Sequence, residues 1–184
     1  MAGCPWPFAD LGGRLGAPSL NQLFTDLRLF EPPALGLPSV ASPQTDLSTE
    51  APIAAIGQGS TTITPLHLAL ITAAIANNGQ LPAPQIVSAL QDAQGMWEPA
   101  IPTEHAIAAF TPEAAAEVKR LMIDGHGALA LTGQQTLGWY AAFAPAIDTR
   151  CAIVVLLEDG GPDEAHFMAH DILTRAGVCG GIGQ

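Results

Sequence analysis

Residues 64–79 have the sequence Thr-Pro-Leu-His-Leu-Ala-Leu-Ile-Thr-Ala-Ala-Ile-Ala-Asn-Asn-Gly, and the rest of the domain is expected to pack around them. Thr64 is a typical N-cap, and Pro65 suits the first helical position because its missing N–H has no partner there. Gly79 marks the end of the helix. Because the segment between them is apolar almost all round, it is predicted to be the buried central helix.

Two different segments precede this helix. Apolar residues recur at helical spacing up to Gly16, and a second such run begins at Ser19, which predicts two short helices within residues 1–30. Residues 31–52 then contain five prolines and several Ser and Thr residues. They are predicted to form a long, Pro-rich irregular loop.

The segments after the central helix alternate between strand and helix patterns. Strands are predicted at 85–90, near Pro102 after a turn at 94–95, and at 129–137, 139–145 and 151–157. A turn at 148–149 would join the last two strands, so an antiparallel sheet of about three strands is expected. Capped helices are predicted at 111–122 and from Pro162 to about Ala176, ending at Gly177.

Charge and composition exclude several classes of protein. The chain has 17 acidic and 6 basic residues and a formal net charge of -11, which argues against binding to nucleic acid or to an anionic membrane surface. Its longest apolar run, 66–76, is too short to cross a bilayer, and no signal-peptide pattern starts at Met1. The length suits one domain, 1–184, with a flexible tail at 177–184.

Metal, phosphate and hydrolase sites are weakly indicated. His166 and His170 lie four residues apart without a third ligand, so a solvated helix face is favoured over a metal site. The turn 57–60 is rich in glycine but lacks the G-K-[ST] of a phosphate loop. Ser60 and His126 lack the G-x-S-x-G elbow of a serine hydrolase. His67 is expected to be a core or boundary histidine, and no cofactor is predicted.

The three cysteines show no metal-type spacing. Cys4, Cys151 and Cys179 are an odd number and do not indicate a disulfide framework or a zinc site. They are predicted to act as small buried hydrophobic residues, with Cys179 exposed in the glycine-rich tail.

Several blocks, taken in order, resemble the transpeptidase domain of penicillin-binding proteins. In that family a G-Q-G turn precedes a T-P-L-Q-L-A helix that ends in A-N-G-G, and residues 56–59 and 64–79 follow this order. Residues 131–135 stand where the family has K-T-G-T-A, and 139–145 match its W-F-V-G-Y-A-P strand. The resemblance implies an α/β fold, here a partial transpeptidase fold with an antiparallel sheet flanked by helices.

The catalytic motifs of that family are changed in this chain. The family uses a serine with a lysine three residues later, and Lys119, the sole lysine, has Ala116 at that spacing. Gly3, Cys4 and Pro5 stand where the family has S-x-N, and they supply neither hydroxyl nor amide. Leu131 replaces the K-T-G lysine, and neutral leucine cannot mimic the positive charge that helps to hold the substrate's carboxylate. No catalytic residue is therefore predicted.

The strand edge of the family's cleft is the part that the resemblance retains. Thr132, Gly133 and Gln134 are predicted to present backbone N–H and C=O groups to an extended peptide, as the family strand does. The alternative is a purely structural strand with a glycine for close packing.

The resemblance leads to two hypotheses about function. The first is a non-catalytic transpeptidase-like domain that acts as a scaffold or partner module in cell-wall assembly. The alternative is the C-terminal part of an active D,D-transpeptidase whose Ser-x-x-Lys lies on an upstream segment. The implied partner is a peptide or a cell-wall protein, or a second copy in a homodimer, because the missing strands would leave an apolar cleft uncovered. Family members are extracytoplasmic and membrane-anchored, although no signal or transmembrane segment is predicted in this chain.

Overall fold

The computed structural model describes residues 4–101, 104–132, 135–144 and 151–176. The helices in this part of the chain are α1 (Trp6–Asp26), α2 (Ala51–Ala54), α3 (Pro65–Ala76), α4 (Pro112–Leu121) and α5 (Pro162–Ala176). The strands are β1 (Gln80–Leu81), β2 (Ala89–Gln91), β3 (Trp97–Pro99), β4 (Ile107–Ala108), β5 (His126–Thr132), β6 (Gln135–Ala144) and β7 (Cys151–Glu158).

Strands β5, β6 and β7 form the main sheet, which is antiparallel in that order. On one face of it, Ala165 and Ala169 of α5 are fully buried against Tyr140, Ala142 and Val155. Small residues on the helix let its backbone lie close to the sheet. The predicted α/β fold, with a three-stranded antiparallel sheet flanked by helices, is confirmed.

Helix α3 packs against β6 and β7 and against α4. The hydroxyl oxygen of Thr64 accepts a hydrogen bond from the backbone N–H of His67 at 3.1 Å, so the predicted cap is present. His67 is 3% exposed, and its ring nitrogens lie 2.8 Å from the Thr64 hydroxyl and 3.0 Å from the Glu31 carbonyl. It is a core histidine with two hydrogen bonds, and the predicted central helix is confirmed.

Helix α1 bends at Gly16, whose φ of 74° and ψ of 167° interrupt the helix where the first short helix was predicted to end. Ser19 does not cap a second helix, because its hydroxyl donates to the Leu15 carbonyl at 2.9 Å. The helix packs against α2, and a Cβ on Gly12 would lie 2.3 Å from that of Ala55. α2 itself was not predicted, since four residues in a Pro-rich stretch show no periodicity.

The strand bounds differ from those predicted. β5 and β6 form a hairpin between Thr132 and Gln135, whereas a single strand was predicted at 129–137. The mixed pattern of apolar and polar residues continues over 129–137 and does not reveal where β5 ends and β6 begins. β2 and β3 form the predicted hairpin with shorter strands. The pairing of β1 with β4 was not predicted, because strands of two residues carry no periodic signal.

The structure also bears on the predictions for the cysteines and for membrane-spanning helices. Cys151 is disulfide-bonded, so the expectation of no disulfide is wrong. Cys4 is an exposed free thiol, so the expectation that it is buried is also wrong. No helix in the described part of the chain is both long and apolar enough to cross a membrane. The positions Gly3, Pro102, 133–134, the turn at 148–149, and the tail 177–184 with its predicted helix stop lie outside the described residues.

Candidate functional site

The free edge of β5 carries the candidate site. Within the described residues β5 pairs only with β6. Thr132 opposes Gln135 with two residues between them, so their backbone groups bond to each other across the hairpin. Since backbone direction alternates along a strand, the N–H and C=O groups of Gly127, Leu129 and Leu131 point away from β6. Those of Thr132, a predicted peptide-binding residue, point towards β6.

The first half of β5 is uncovered. His126, Gly127, Ala128 and Leu129 are all exposed, and the Leu129 side chain is 51% exposed. A strand with one buried face would bury every second residue. The residues of this segment are therefore accessible to solvent, although Pro162 at the start of α5 approaches one face, where a Cβ on Gly127 would lie 3.0 Å from the Pro162 Cβ.

The G-Q-G turn approaches this edge. Gly57 and Gly59 have φ values of 72° and 91°, a region that side chains rarely adopt, so glycine suits both positions. The backbone N–H of Gln58 donates to the Ile53 carbonyl at 3.1 Å, which fixes the residue between the two glycines. Its side-chain amide donates to the carbonyl of Leu129 on β5 at 3.5 Å.

Glu50 stabilises the same turn from the other side. Its carboxylate accepts hydrogen bonds from the Ser60 hydroxyl at 2.6 Å and from the Ser60 N–H at 3.2 Å. Both bonds lower the pKa of Glu50 because they favour the ionised form, and the bond from the Ser60 hydroxyl has the larger effect. Ser60 is thus engaged by a carboxylate and forms no pair with His126, so the arrangement does not favour a serine hydrolase.

Cys4 and Pro5, which are predicted to stand at the S-x-N position, lie at the start of α1. Cys4 is exposed, and Pro5 occupies the N-cap without a side-chain hydrogen bond. Trp6 and Phe8 follow, with 76% and 60% of their surface exposed. Neither Cys4 nor Pro5 makes a polar side-chain contact that would start a proton relay.

Lys119 lies on α4, and its ammonium group donates to the carbonyl of Ala76 at 3.3 Å. The same group is 5.6 Å from the centre of the Phe143 ring. Ala76 is the last residue of α3, where unpaired carbonyls attract a cation. The sole lysine of the chain therefore joins α4 to the end of α3 and to β6.

The histidines of α5 are placed as the sequence predicted. His166 is exposed and stacks on Tyr140 with ring centres 4.7 Å apart, and His170 is also exposed. Among the residues that the structure describes, no three His, Cys, Asp or Glu side chains are grouped to hold a metal ion. Sequence reasoning missed Gln58, because its contact with Leu129 spans 71 residues and leaves no local pattern.

Comparisons with known proteins identify related sequences. Two matches are peptidoglycan D,D-transpeptidases PbpA. The protein from Mycolicibacterium smegmatis is 31% identical over 183 residues, which cover 86% of this chain and 37% of the relative. The protein from Mycobacterium tuberculosis is 30% identical over 187 residues, which cover 85% of this chain and 37% of the relative. The chain thus spans little more than a third of the length of these curated relatives.

Solved structures match across nearly the whole chain. The crystal structure of PBPA from Mycobacterium tuberculosis superposes with a TM-score of 0.86 and 26% identity, over 94% of this chain and 46% of that one. The D,D-transpeptidase domain of a peptidoglycan glycosyltransferase from Eggerthella lenta gives a TM-score of 0.84 over 94% of this chain and 50% of that one. At 21% identity the second match supports the fold alone.

The sequence model of one protein family matches residues 3–128, about two thirds of the chain. Its description is "Penicillin binding protein transpeptidase domain". This match includes the G-Q-G turn and the central helix on which the resemblance was first based. The chain belongs to the family of penicillin-binding protein transpeptidase domains.

Proposed function

We propose that this chain is a non-catalytic transpeptidase-like module of peptidoglycan assembly, which holds a peptide or a cell-wall protein along the free edge of β5. The observation that carries the proposal is the contact of Lys119 with Ala76. Serine acylation in this family needs a lysine beside the nucleophile. The one lysine of this chain is held at the end of α3 instead.

The remaining catalytic positions support the same conclusion. Cys4 and Pro5 offer no hydroxyl or amide to pass on a proton, and Leu131 offers no positive charge to a substrate carboxylate. A nucleophile without a base has an ordinary, high pKa and reacts slowly. The groups that would normally act together are each missing or changed.

Peptide holding requires less than catalysis does. An extended peptide adds to a sheet through backbone hydrogen bonds, so the chemistry of the side chains matters little for affinity. β5 has the exposed residues and the outward N–H and C=O groups that such an addition needs. We propose Gly127, Leu129 and Leu131 as the part of this edge that pairs with the peptide. Thr132, whose backbone groups face β6, and Gly133 and Gln134, which lie outside the described residues, remain the peptide-binding residues that the family resemblance predicts.

The relatives add a functional context. Both are named peptidoglycan D,D-transpeptidases, and penicillin-binding protein A of Mycobacterium tuberculosis has been solved as a penicillin G acyl-enzyme complex, at 28% identity and a TM-score of 0.78. The test is incubation with a fluorescent penicillin followed by intact mass, with the Mycobacterium tuberculosis protein as positive control. We expect no covalent adduct on this chain, and a stable acyl-serine adduct would disprove the proposal.

A second candidate is the C-terminal part of an active D,D-transpeptidase. It is favoured by one observation, the 37% share of the curated relatives that the chain covers. The discriminating material is a longer chain from the same reading frame that carries a Ser-x-x-Lys segment. Acylation of that longer chain by penicillin would establish the second candidate, and its failure would support the first.

We also propose that residues 1–184 act as one domain, in which the predicted long loop 31–52 ends at residue 50 because α2 begins at Ala51. The contacts of α3 with both the sheet and β1 support a single cooperative unit. Unfolding in urea should give coincident transitions by circular dichroism and by tryptophan fluorescence. Two separate transitions would contradict a single domain.

A further inference from the structure

We propose that Gln58 acts as a guard of the free edge of β5. By this we mean that its side-chain amide donates a hydrogen bond to the Leu129 carbonyl, and that an added strand must displace this bond to pair with the carbonyl. This role of Gln58 extends the proposed function. It rests on the proposed function in one respect, namely that the added strand is a cell-wall peptide. The contact joins the G-Q-G turn to the strand across 71 residues of sequence.

The turn presents Gln58 in a fixed position. Its two neighbours are glycines at positive φ, and its N–H is bonded to the Ile53 carbonyl. A Cβ on Gly59 would lie 3.0 Å from the Glu50 carboxylate, so the backbone closely approaches that side chain. The Glu50 carboxylate in turn binds Ser60 twice. The backbone that carries the Gln58 amide is therefore held in place by these contacts.

The hydrogen bond is suited to displacement. Its 3.5 Å length is beyond the usual 2.7–3.2 Å range for N–H···O bonds, so it is weak. A strand added at the edge bonds to alternate residues, and in this register these are Gly127, Leu129 and Leu131. Any strand that pairs across the middle of this edge must compete with Gln58 for the Leu129 carbonyl.

The guard also serves the chain when no peptide is present. An exposed edge strand invites pairing with other chains, and native proteins cover or blunt such edges. Leu129 is half-exposed and its neighbours are open to solvent. In the described part of the chain, Gln58 is the side chain whose hydrogen bond reaches this edge. Removing the amide should therefore favour strand addition by a peptide and by a second copy alike.

The first experiment measures the affinity of the whole chain for an acetylated pentapeptide ending in D-alanyl-D-alanine. Gln58→Ala should bind it about two- to fivefold more tightly than the unmodified chain, since one weak competing hydrogen bond is lost. Gln58→Met keeps the length of the side chain without a charge and cannot donate, so it should bind more tightly as well. Gln94→Ala is the matched control, because Gln94 is exposed in the turn between β2 and β3. Equal or weaker binding by both Gln58 variants would overturn the guard.

A second measurement separates the guard from the proposed function. If the peptide binds to none of these proteins, peptide holding fails, and the guard is then judged by light scattering over a concentration series. Both Gln58 variants should associate at concentrations about two- to fivefold lower than the unmodified chain and Gln94→Ala do, for the same reason. Equal association by all four proteins would overturn the guard. Circular dichroism of each variant confirms that it is folded.

Discussion

The ammonium group of Lys119 lies 3.3 Å from the carbonyl oxygen of Ala76, the last residue of α3. This contact gives the only lysine of the chain a structural role at a helix end. The same ammonium group lies over the Phe143 ring, 5.6 Å from the ring centre. In a family whose chemistry depends on lysines, the position of this one can be tested through stability.

Lys119→Met should lower the free energy of unfolding by about 1–2 kcal/mol, because a charged hydrogen bond and a cation–π contact are lost while the apolar stem remains. Urea unfolding measures the change. Arg120→Met is the matched control, since Arg120 is the next residue and its side chain is 69% exposed. It should change stability by less than about 0.5 kcal/mol. Equal losses in both variants would contradict the role assigned to Lys119.

Gly79→Ala should destabilise the chain more than Gly36→Ala does. The two glycines have similar φ values of 84° and 70°, so alanine is strained at both, by about 1–2 kcal/mol. A Cβ on Gly79 would also lie 2.3 Å from the Phe110 carbonyl oxygen, whereas a Cβ on Gly36 meets nothing within 4 Å. The clash should add about 1–3 kcal/mol to the Gly79 variant in urea unfolding. Equal losses of stability in the two variants would show that Phe110 moves away from the added Cβ without a cost in free energy.

We expect the folded chain to lose stability at high pH because of Tyr140. Burial, and then the charge of Asp124, raise the pKa of Tyr140 above its ordinary value of 10.0. The neutral hydroxyl donates to the Asp124 carbonyl at 2.6 Å. Because the folded-state pKa is the higher one, the stabilisation is complete below about pH 10 and is lost as the pH rises through the raised value.

The chain has one tyrosine, so its ionisation can be followed by ultraviolet absorbance without overlap. Tyr140→Phe should lose about 1 kcal/mol at neutral pH and should lack the tyrosine-linked part of the alkaline decline. A tyrosine that ionises at the ordinary pKa in the folded chain would contradict the assignment.

Ser60→Ala should raise the pKa of Glu50 towards its ordinary value, because the hydroxyl is the main cause of its lowering. Stability linked to Glu50 is present above its ordinary pKa and is lost as the pH falls through the lowered value. Carbon-13 NMR of the Glu50 carboxyl measures the shift.

Asp46 and Ser48 supply the comparison. There the backbone N–H of Ser48 is the main cause of the lowered pKa of Asp46, so Ser48→Ala should change that pKa less than Ser60→Ala changes that of Glu50. The reverse order would show that the backbone bond dominates in both turns.

The helices were largely predictable, because their signals lie within a few residues. Thr64 and Pro65 predicted the start of α3, and Thr111 and Pro112 the start of α4. The end of β5 at Thr132 and the start of β6 at Gln135 were not predicted, since no change of pattern marks them. The sequence predicts that Leu131 and the lone lysine depart from the family's catalytic motifs, but it did not predict the contact of that lysine with Ala76.

The sequence by itself determined the family, the central helix and which residue types stand in the blocks that resemble the family's motifs, because each depends on the identity and order of nearby residues. Only the tertiary structure decided that Lys119 meets Ala76 and that Gln58 reaches Leu129, across 43 and 71 residues. It also decided which backbone groups of β5 face outwards, through the register set at Thr132. Such contacts depend on where packing places distant segments, and a local pattern carries no record of them.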